Sequence, residues 1–295
     1  MAATSFGYVA LIGLPNAGKS TLMNTILGTK VSIVTPKVQT TRRRVLGVFT
    51  QEKTQVAFLD TPGVFTPKTR LDHAMVKVAL HAVQEADLVC IIIDACKKLA
   101  DHSHLFTVAK QSGRPICVVL NKVDKTDKEK LLFLAQDISK TYELNDIFMI
   151  SALKAKGTDD LVRFIVGKIP SGPWLFEEDD LTDLPLHAMA TEFTREKLFS
   201  FLHQEIPYGL MVQHELWKED VPGKVEIYQR IVIEKENHKG IVLGHNGELI
   251  KKVRLASQKD IRQLLQKKVK LFLQVVVKED WKNKSQYYQD QGLEF

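Results

Sequence analysis

Short apolar runs alternate with amphipathic stretches over residues 1–170. Strand-like runs fall at 8–12, 44–49, 55–59, 88–94, 116–120 and 146–150. Between them lie helical patterns such as 128–142, with Leu131, Leu134, Ala135 and Ile138 at helical spacing. Strands that alternate with helices of this length predict an α/β domain with a mostly parallel sheet covered on both faces. The pattern breaks at 169–186, which holds three prolines, a glycine and a run of acids and reads as a linker. Beyond it come a helix-like stretch at 191–204 and strand-like runs at 210–217 and 225–234 around a Pro222-Gly223 turn. A glycine pair with a basic helix (244–266) and a last strand (269–277) complete the pattern. The expected organisation is a domain at 1–170, a linker at 171–186 and a smaller α+β module at 187–295.

Composition sharpens this little. With 295 residues, 44% hydrophobic and 26% charged, the chain suits two ordinary globular domains. No apolar run approaches the roughly 18–20 residues of a membrane helix. The N-terminal MAATSFGYVALIG has no basic leader-like region. Three cysteines (Cys90, Cys96, Cys117) make no disulfide framework; Cys90 and Cys117 lie in apolar runs and read as buried small hydrophobes in a reducing compartment. The net charge of +6 matters chiefly by placement: between Lys239 and Lys270 nine Lys/Arg face only Glu248 and Asp260.

The chemistry starts at Gly13-Leu14-Pro15-Asn16-Ala17-Gly18-Lys19-Ser20, with Thr21 beside it. It follows a strand and opens a helix, the context in which G-x-x-x-x-G-K-[ST] cradles phosphates. Lys19 is expected to reach the β/γ-phosphates and Ser20 to bind Mg²⁺. About forty residues on, Asp60-Thr61-Pro62-Gly63 closes a strand: Asp60 suits the metal, and the Gly63 amide suits a γ-phosphate. Between the two, Thr41 or Thr40 is the candidate switch threonine for the metal, with Thr41 preferred. Asn121-Lys122-Val123-Asp124 follows another strand. The Asp124 carboxylate can accept the N1–H and N2–H₂ donors of guanine, a pairing adenine cannot offer. Asn121 is expected to tie this loop to the phosphate loop and Lys122 to lay its stem on the base. An amide near Ala152, in Ser151-Ala152-Leu153, is placed to meet guanine O6. Lys19, Thr41 and Gly63 are the residues expected nearest the reacting phosphate.

The order GLPNAGKS, QTTR, DTPG, NKVD, SAL resembles the GTP-binding domain of translation-factor-related GTPases, in the branch that contains Era. Val64 stands where Ras-like enzymes carry a water-orienting glutamine, so slow hydrolysis is expected. In some relatives the loop asparagine helps bind potassium; Asn16 matches it, and potassium stimulation is expected. Downstream, Gly244-His245-Asn246-Gly247 before Glu248-Leu249-Ile250-Lys251-Lys252-Val253 resembles a type II KH domain, whose G-x-x-G loop lets a nucleic-acid backbone approach closely. The resemblance gives Gly244, His245, Asn246, Gly247, Lys251 and Lys252 to RNA, and Ile241, Leu243, Leu249, Ile250 and Val253 to the core and groove floor. A lysine is commoner inside this loop than the His245 found here. Together with Thr194-Arg195-Glu196-Lys197-Leu198 and Glu205-Ile206-Pro207-Tyr208-Gly209, the whole chain is similar to the Era family. That resemblance implies a GTP/GDP switch, with Mg²⁺, on the 3′ end of 16S ribosomal RNA and in small ribosomal subunit assembly. It also implies a cytoplasmic monomer with peripheral inner-membrane contact. Two other readings are an RNA-modifying enzyme, for which no catalytic constellation follows the linker, and a membrane-surface switch built on helix 248–266, against which the G-x-x-G stands.

Overall fold

The computed structural model describes residues 4–37, 40–65, 67, 70–202, 206–279 and 281. The chain divides into two compact units. The first comprises Met1–Ser32 and Thr41–Asp183; the second comprises Ile33–Thr40 and Leu184–Phe295.

The first unit contains β1 (Ser5–Gly13), α1 (Lys19–Leu27), β2 (Val45–Gln51), β3 (Thr54–Asp60), α2 (Arg70–Glu85), β4 (Leu88–Asp94), α3 (Ser103–Gln111), β5 (Ile116–Asn121), α4 (Lys128–Tyr142), β6 (Ile147–Met149) and α5 (Thr158–Lys168). Its six-stranded sheet runs β2-β3-β1-β4-β5-β6, parallel except for the β2/β3 pair. The unbroken apolar run of β4 is explained by burial at all its positions. A strand covered on both faces has no polar side to show. Ile12, Ile91, Ile93, Val118 and Leu120 meet Ala79, Val83, Phe106 and Ile138 from the helices in one core cluster. Cys90 and Cys117 are buried neighbours in register on β4 and β5, and both are free thiols.

The 171–186 segment does not behave as one tether. Up to Asp183 it belongs to the first unit. The Gln55 side chain brackets it, accepting the Leu175 and Phe176 N–H groups and donating to Phe176 O. Phe176 packs beside Phe6, and Leu181 O accepts the Val48 N–H. Aromatic burial and a satisfied glutamine outweigh the polar composition there.

The second unit contains α6 (Leu186–Phe201), β7 (Leu210–Val221), β8 (Lys224–Ile233), α7 (Glu236–Leu243), α8 (Glu248–Leu265) and β9 (Lys268–Val277). The sheet order is β7-β8-β9, with β7/β8 antiparallel and β8/β9 parallel. This is the α+β arrangement expected of a type II KH module. Helix α6 begins five residues before the expected 191, with Pro185 as its extended N-cap residue. Met189, Phe193, Ile227, Ile261 and Leu271 form one core cluster; Leu198, Phe199, Ile231, Val242 and Val253 belong to another. Ile33 joins the first of these clusters, and the Val34 N–H donates to the buried Glu196 carboxylate at 3.0 Å.

Candidate nucleotide site and nucleic-acid interface

Parallel strands deliver their C-terminal ends to one edge of a sheet, and ligands bind there. β1, β3 and β5 each end in one of the sequence motifs, and Ser151 lies two residues beyond β6. Gly13 closes β1 and Lys19 opens α1; the turn between them holds Asn16 at φ 63° and Gly18 at φ 101°. Gly18 is obligatory for two reasons. Its backbone lies in the left-handed region, and a Cβ there would sit 2.2 Å from Asn121 Nδ2. That space is what lets Asn121 reach the loop, where Nδ2 donates to Ala17 O at 2.8 Å. Asn121 Oδ1 accepts two further N–H groups, from Lys122 at 2.8 Å and Ala152 at 3.0 Å. One buried amide therefore ties the phosphate loop, the NKVD loop and the SAL loop together. The Ala152 N–H is spent on this tie.

Asp124 is held at its loop by Ser151, whose hydroxyl donates at 2.7 Å, and by Lys154 at 3.4 Å. The Ser151 bond, ahead of the opposing burial, holds its carboxyl below the ordinary carboxylate range. It stands ionised as an acceptor, as guanine reading requires. Lys122, at φ 65°, turns its ammonium onto Asp94 Oδ2 at 2.6 Å.

At the phosphate end, Lys19 is buried, and its ammonium donates to Gly13 O and Leu14 O at 3.2 Å each. Burial pulls its pKa down to about 8, with Asp60 opposing. Ser20 Oγ donates to Asp60 Oδ2 at 2.6 Å and lies 3.1 Å from Thr41 Oγ1. The three proposed metal ligands Ser20, Thr41 and Asp60 therefore sit together. Burial raises the Asp60 pKa, against Lys19 and the surrounding hydroxyls. Its Oδ1 is buried without a hydrogen-bond partner among the described residues. A hard divalent cation favours such an oxygen set, so these residues fit Mg²⁺. Among the described residues no group of three His, Cys, Asp or Glu could hold a metal. Thr61 Oγ1 is turned inward to Leu11 O at 2.8 Å, anchoring the DTPG turn to β1. Gly63 lies against the phosphate loop, since a Cβ there would meet the Pro15 nitrogen at 2.6 Å. The Val64 N–H donates to Gly13 O at 3.1 Å.

Thr40 and Thr41 part company. Thr41 belongs to the first unit and neighbours Ser20, whereas Thr40 groups with the second unit and bonds Thr35 Oγ1 at 2.6 Å. Two residues that sequence reading missed hold this segment. Ser32 Oγ donates to Asp60 Oδ2 at 2.8 Å. Asn24 accepts the Val31 and Ser32 N–H groups and donates to Ser32 O. Neither belongs to a motif, so only their position in space reveals them.

In the second unit, α7 and α8 flank the Gly244–Gly247 turn. Gly244 (φ 74°), Asn246 (φ 46°) and Gly247 (φ 76°) all have positive φ. A Cβ on Gly244 would meet Leu249 Cβ at 2.6 Å, whereas one on Gly247 would meet nothing within 4 Å. His245, Asn246, Lys251 and Lys252 are exposed, and the Lys252 ammonium lies 4.5 Å from the Phe201 ring centre. Val253 is buried, with Leu249 and Ile250 packed beside it. Ile241 is 49% exposed and does not build the core as expected; its neighbour Val242 does, because α7 turns that side inward.

Two family models match the chain: a 50S ribosome-binding GTPase over residues 8–122 and a KH domain over 205–282. The GTPase Era of Brucella suis biovar 1 is 46% identical over 99% of this chain and 94% of that protein. The GTPase Era of Mesorhizobium japonicum is 45% identical over 99% and 95%. Among solved structures, an Aquifex aeolicus Era variant bound to GDP·AlF4⁻ superposes with a TM-score of 0.94 at 39% identity, covering 98% of this chain and 99% of that one. Era in complex with MgGDPNP and nucleotides 1506–1542 of 16S ribosomal RNA gives 0.93 at 38% identity, with the same coverages.

Proposed function

The chain belongs to the Era family of GTPases, and from that premise we propose a GTP-driven switch whose KH unit grips the unpaired 3′ end of 16S ribosomal RNA and so assists small-subunit assembly. The observation that carries the nucleotide half is the Asn121 tie between the phosphate, NKVD and SAL loops, with Asp124 held ionised at its edge. Guanine at Asp124 thereby positions the triphosphate at Lys19. The RNA half rests on the open Gly244–Gly247 turn before exposed Lys251 and Lys252, and on the RNA held by the related Era.

Hydrolysis is a matter of positioning and charge. The Lys19 ammonium, now on two loop carbonyls, turns to the β/γ-phosphate oxygens. The Gly63 amide meets the γ-phosphate, and Ser20, Thr41 and Asp60 hold the Mg²⁺. That ion, when bound, neutralises phosphate charge. Val64 offers no hydrogen bond to the attacking water, which makes turnover slow. Coupling is supported by the segment Ile33–Thr40, which groups with the KH unit while its flanks, Ser32 and Thr41, gather at Asp60 and Ser20. A Thr41 that follows the metal and γ-phosphate would pull on that segment. The same reading carries a cytoplasmic monomer with peripheral inner-membrane contact, and potassium at Asn16.

Asp124→Asn tests the base assignment. Affinity for GDP should fall about a thousandfold while XDP binding appears, because the amide complements xanthine. Unchanged selectivity in competition titrations contradicts the assignment. Turnover should rise when sodium buffer is exchanged for potassium; equal rates remove the ion from Asn16.

A further inference from the structure

Asp94 ends β4 and is paired in register with Asn121, the last residue of β5. It stands outside every motif discussed above. Its side chain is 11% exposed, and both oxygens are engaged: Oδ1 accepts the Cys96 N–H at 3.0 Å, and Oδ2 accepts the Lys122 ammonium at 2.6 Å. The backbone around it is equally fixed. The Ala95 N–H donates to Asn121 O at 3.0 Å and the Lys97 N–H to Asp94 O at 2.9 Å. Burial works to raise the Asp94 carboxyl, but the Lys122 and Cys96 donors hold it below the ordinary carboxylate range.

The partner of this carboxylate is Lys122, whose four-carbon stem the guanine-site reading lays over the base. A lysine stem is flexible, and ordering it costs rotamer entropy of up to about 2 kcal/mol. Lys122 stands just beyond β5 with a left-handed backbone, and its ammonium reaches back to the end of β4. An ammonium clamped at its far end fixes the stem before nucleotide arrives. Preorganisation of this kind removes an ordering cost from binding.

We propose that Asp94 is a positioning residue for guanine-nucleotide binding, acting through Lys122: it fixes the lysine stem as a preformed apolar wall for the purine face. The proposal rests on the reading of Asn121–Asp124 as a guanine site. Asp94 sets affinity for the purine ring as such, whereas Asp124 sets which purine is read. It also explains why this wall is a lysine: a leucine would cover the base but leave Asp94 without its cation.

A double-mutant cycle in the full chain tests this, with fluorescent GDP as the probe and IDP as competitor. Asp94→Asn keeps an acceptor for the Cys96 N–H and removes the charge. It should weaken GDP binding about tenfold with the GDP/IDP ratio unchanged. In a Lys122→Met background, whose stem needs no anchor, the same substitution should cost less than about twofold. An equal loss in both backgrounds would show that Asp94 acts through the fold and not through Lys122. No loss in either, or a change in the GDP/IDP ratio, would equally overturn the proposal. Thermal melts of the nucleotide-free variants accompany the cycle; a melting shift that Lys122→Met leaves intact counts against it. Failure of the guanine reading itself is distinguishable: the wild-type chain would then fail to prefer GDP over ADP.

Discussion

The two binding regions of this chain are built on opposite principles. At the nucleotide site Asn121, Asp60 and Lys19 are buried, and these three and Asp124 already hold hydrogen bonds to loop backbone or to neighbouring side chains. At the Gly244–Gly247 turn the contribution is backbone shape: three positive φ angles in four residues, with His245, Asn246, Lys251 and Lys252 turned to solvent. A small, rigid ligand rewards preformed donors and acceptors. A flexible polyanion with its bases splayed needs close backbone approach and mobile cations. The first kind of site is specified by side-chain identity, so one atom's change is costly there. The second is formed by conformation and charge, with His245 exposed in the turn.

The sharpest way to break this contrast is to perturb the turn alone. Gly244 is the wrong target, because a Cβ there runs into Leu249 and would disturb packing. Gly247→Asp adds charge where no atom lies within 4 Å, at the cost of placing an aspartate at φ 76°. It should weaken binding of an oligoribonucleotide by about 10- to 100-fold while leaving GDP affinity within about twofold; filter binding and fluorescence titration read the two. Equal losses of both affinities would mean that the turn is not a separate RNA site.

A smaller effect sharpens the nucleotide side. Burial lowers the Lys19 pKa to about 8. A folded-state pKa below the unfolded one means that the free protein binds fewer protons than the unfolded chain between about pH 8 and the ordinary lysine value of 10.5. The burial of charged Lys19 therefore opposes folding below pH 8, and that penalty is relieved as pH rises. A triphosphate favours the charged form, so GTP binding at pH 9 should take up close to one proton per site. At pH 6.5 uptake from this group should be near zero. Calorimetry in two buffers of different ionisation enthalpy measures this, and Lys19→Arg should abolish it.

Legibility in the sequence followed the same divide. The β4 strand is predicted to the residue because burial on both faces leaves an unbroken apolar run. The phosphate, DTPG, NKVD and SAL segments are legible because each chemistry demands particular residues at fixed spacing. Helix α7 is not: it spans only Glu236–Leu243, and Gly240 blurs its period. Ile241 and Val242 are equally apolar, so only the direction of α7 decides which is buried. Ser32, Asn24 and Asp94 escape for another reason. Their partners lie distant in sequence or are backbone groups, and a lone polar residue carries no periodic signal. The segment 171–183 reads as a tether by composition, yet Gln55 and Phe176 fasten it to the first unit.

The central claim is that nucleotide state sets the grip on RNA. The direct measurement is the affinity of the full chain for a labelled oligoribonucleotide of the 16S 3′ end, taken with GDPNP, with GDP and without nucleotide, each with Mg²⁺. The account predicts that the GDPNP and GDP affinities differ by about tenfold or more. Identical affinities in all three states would contradict it.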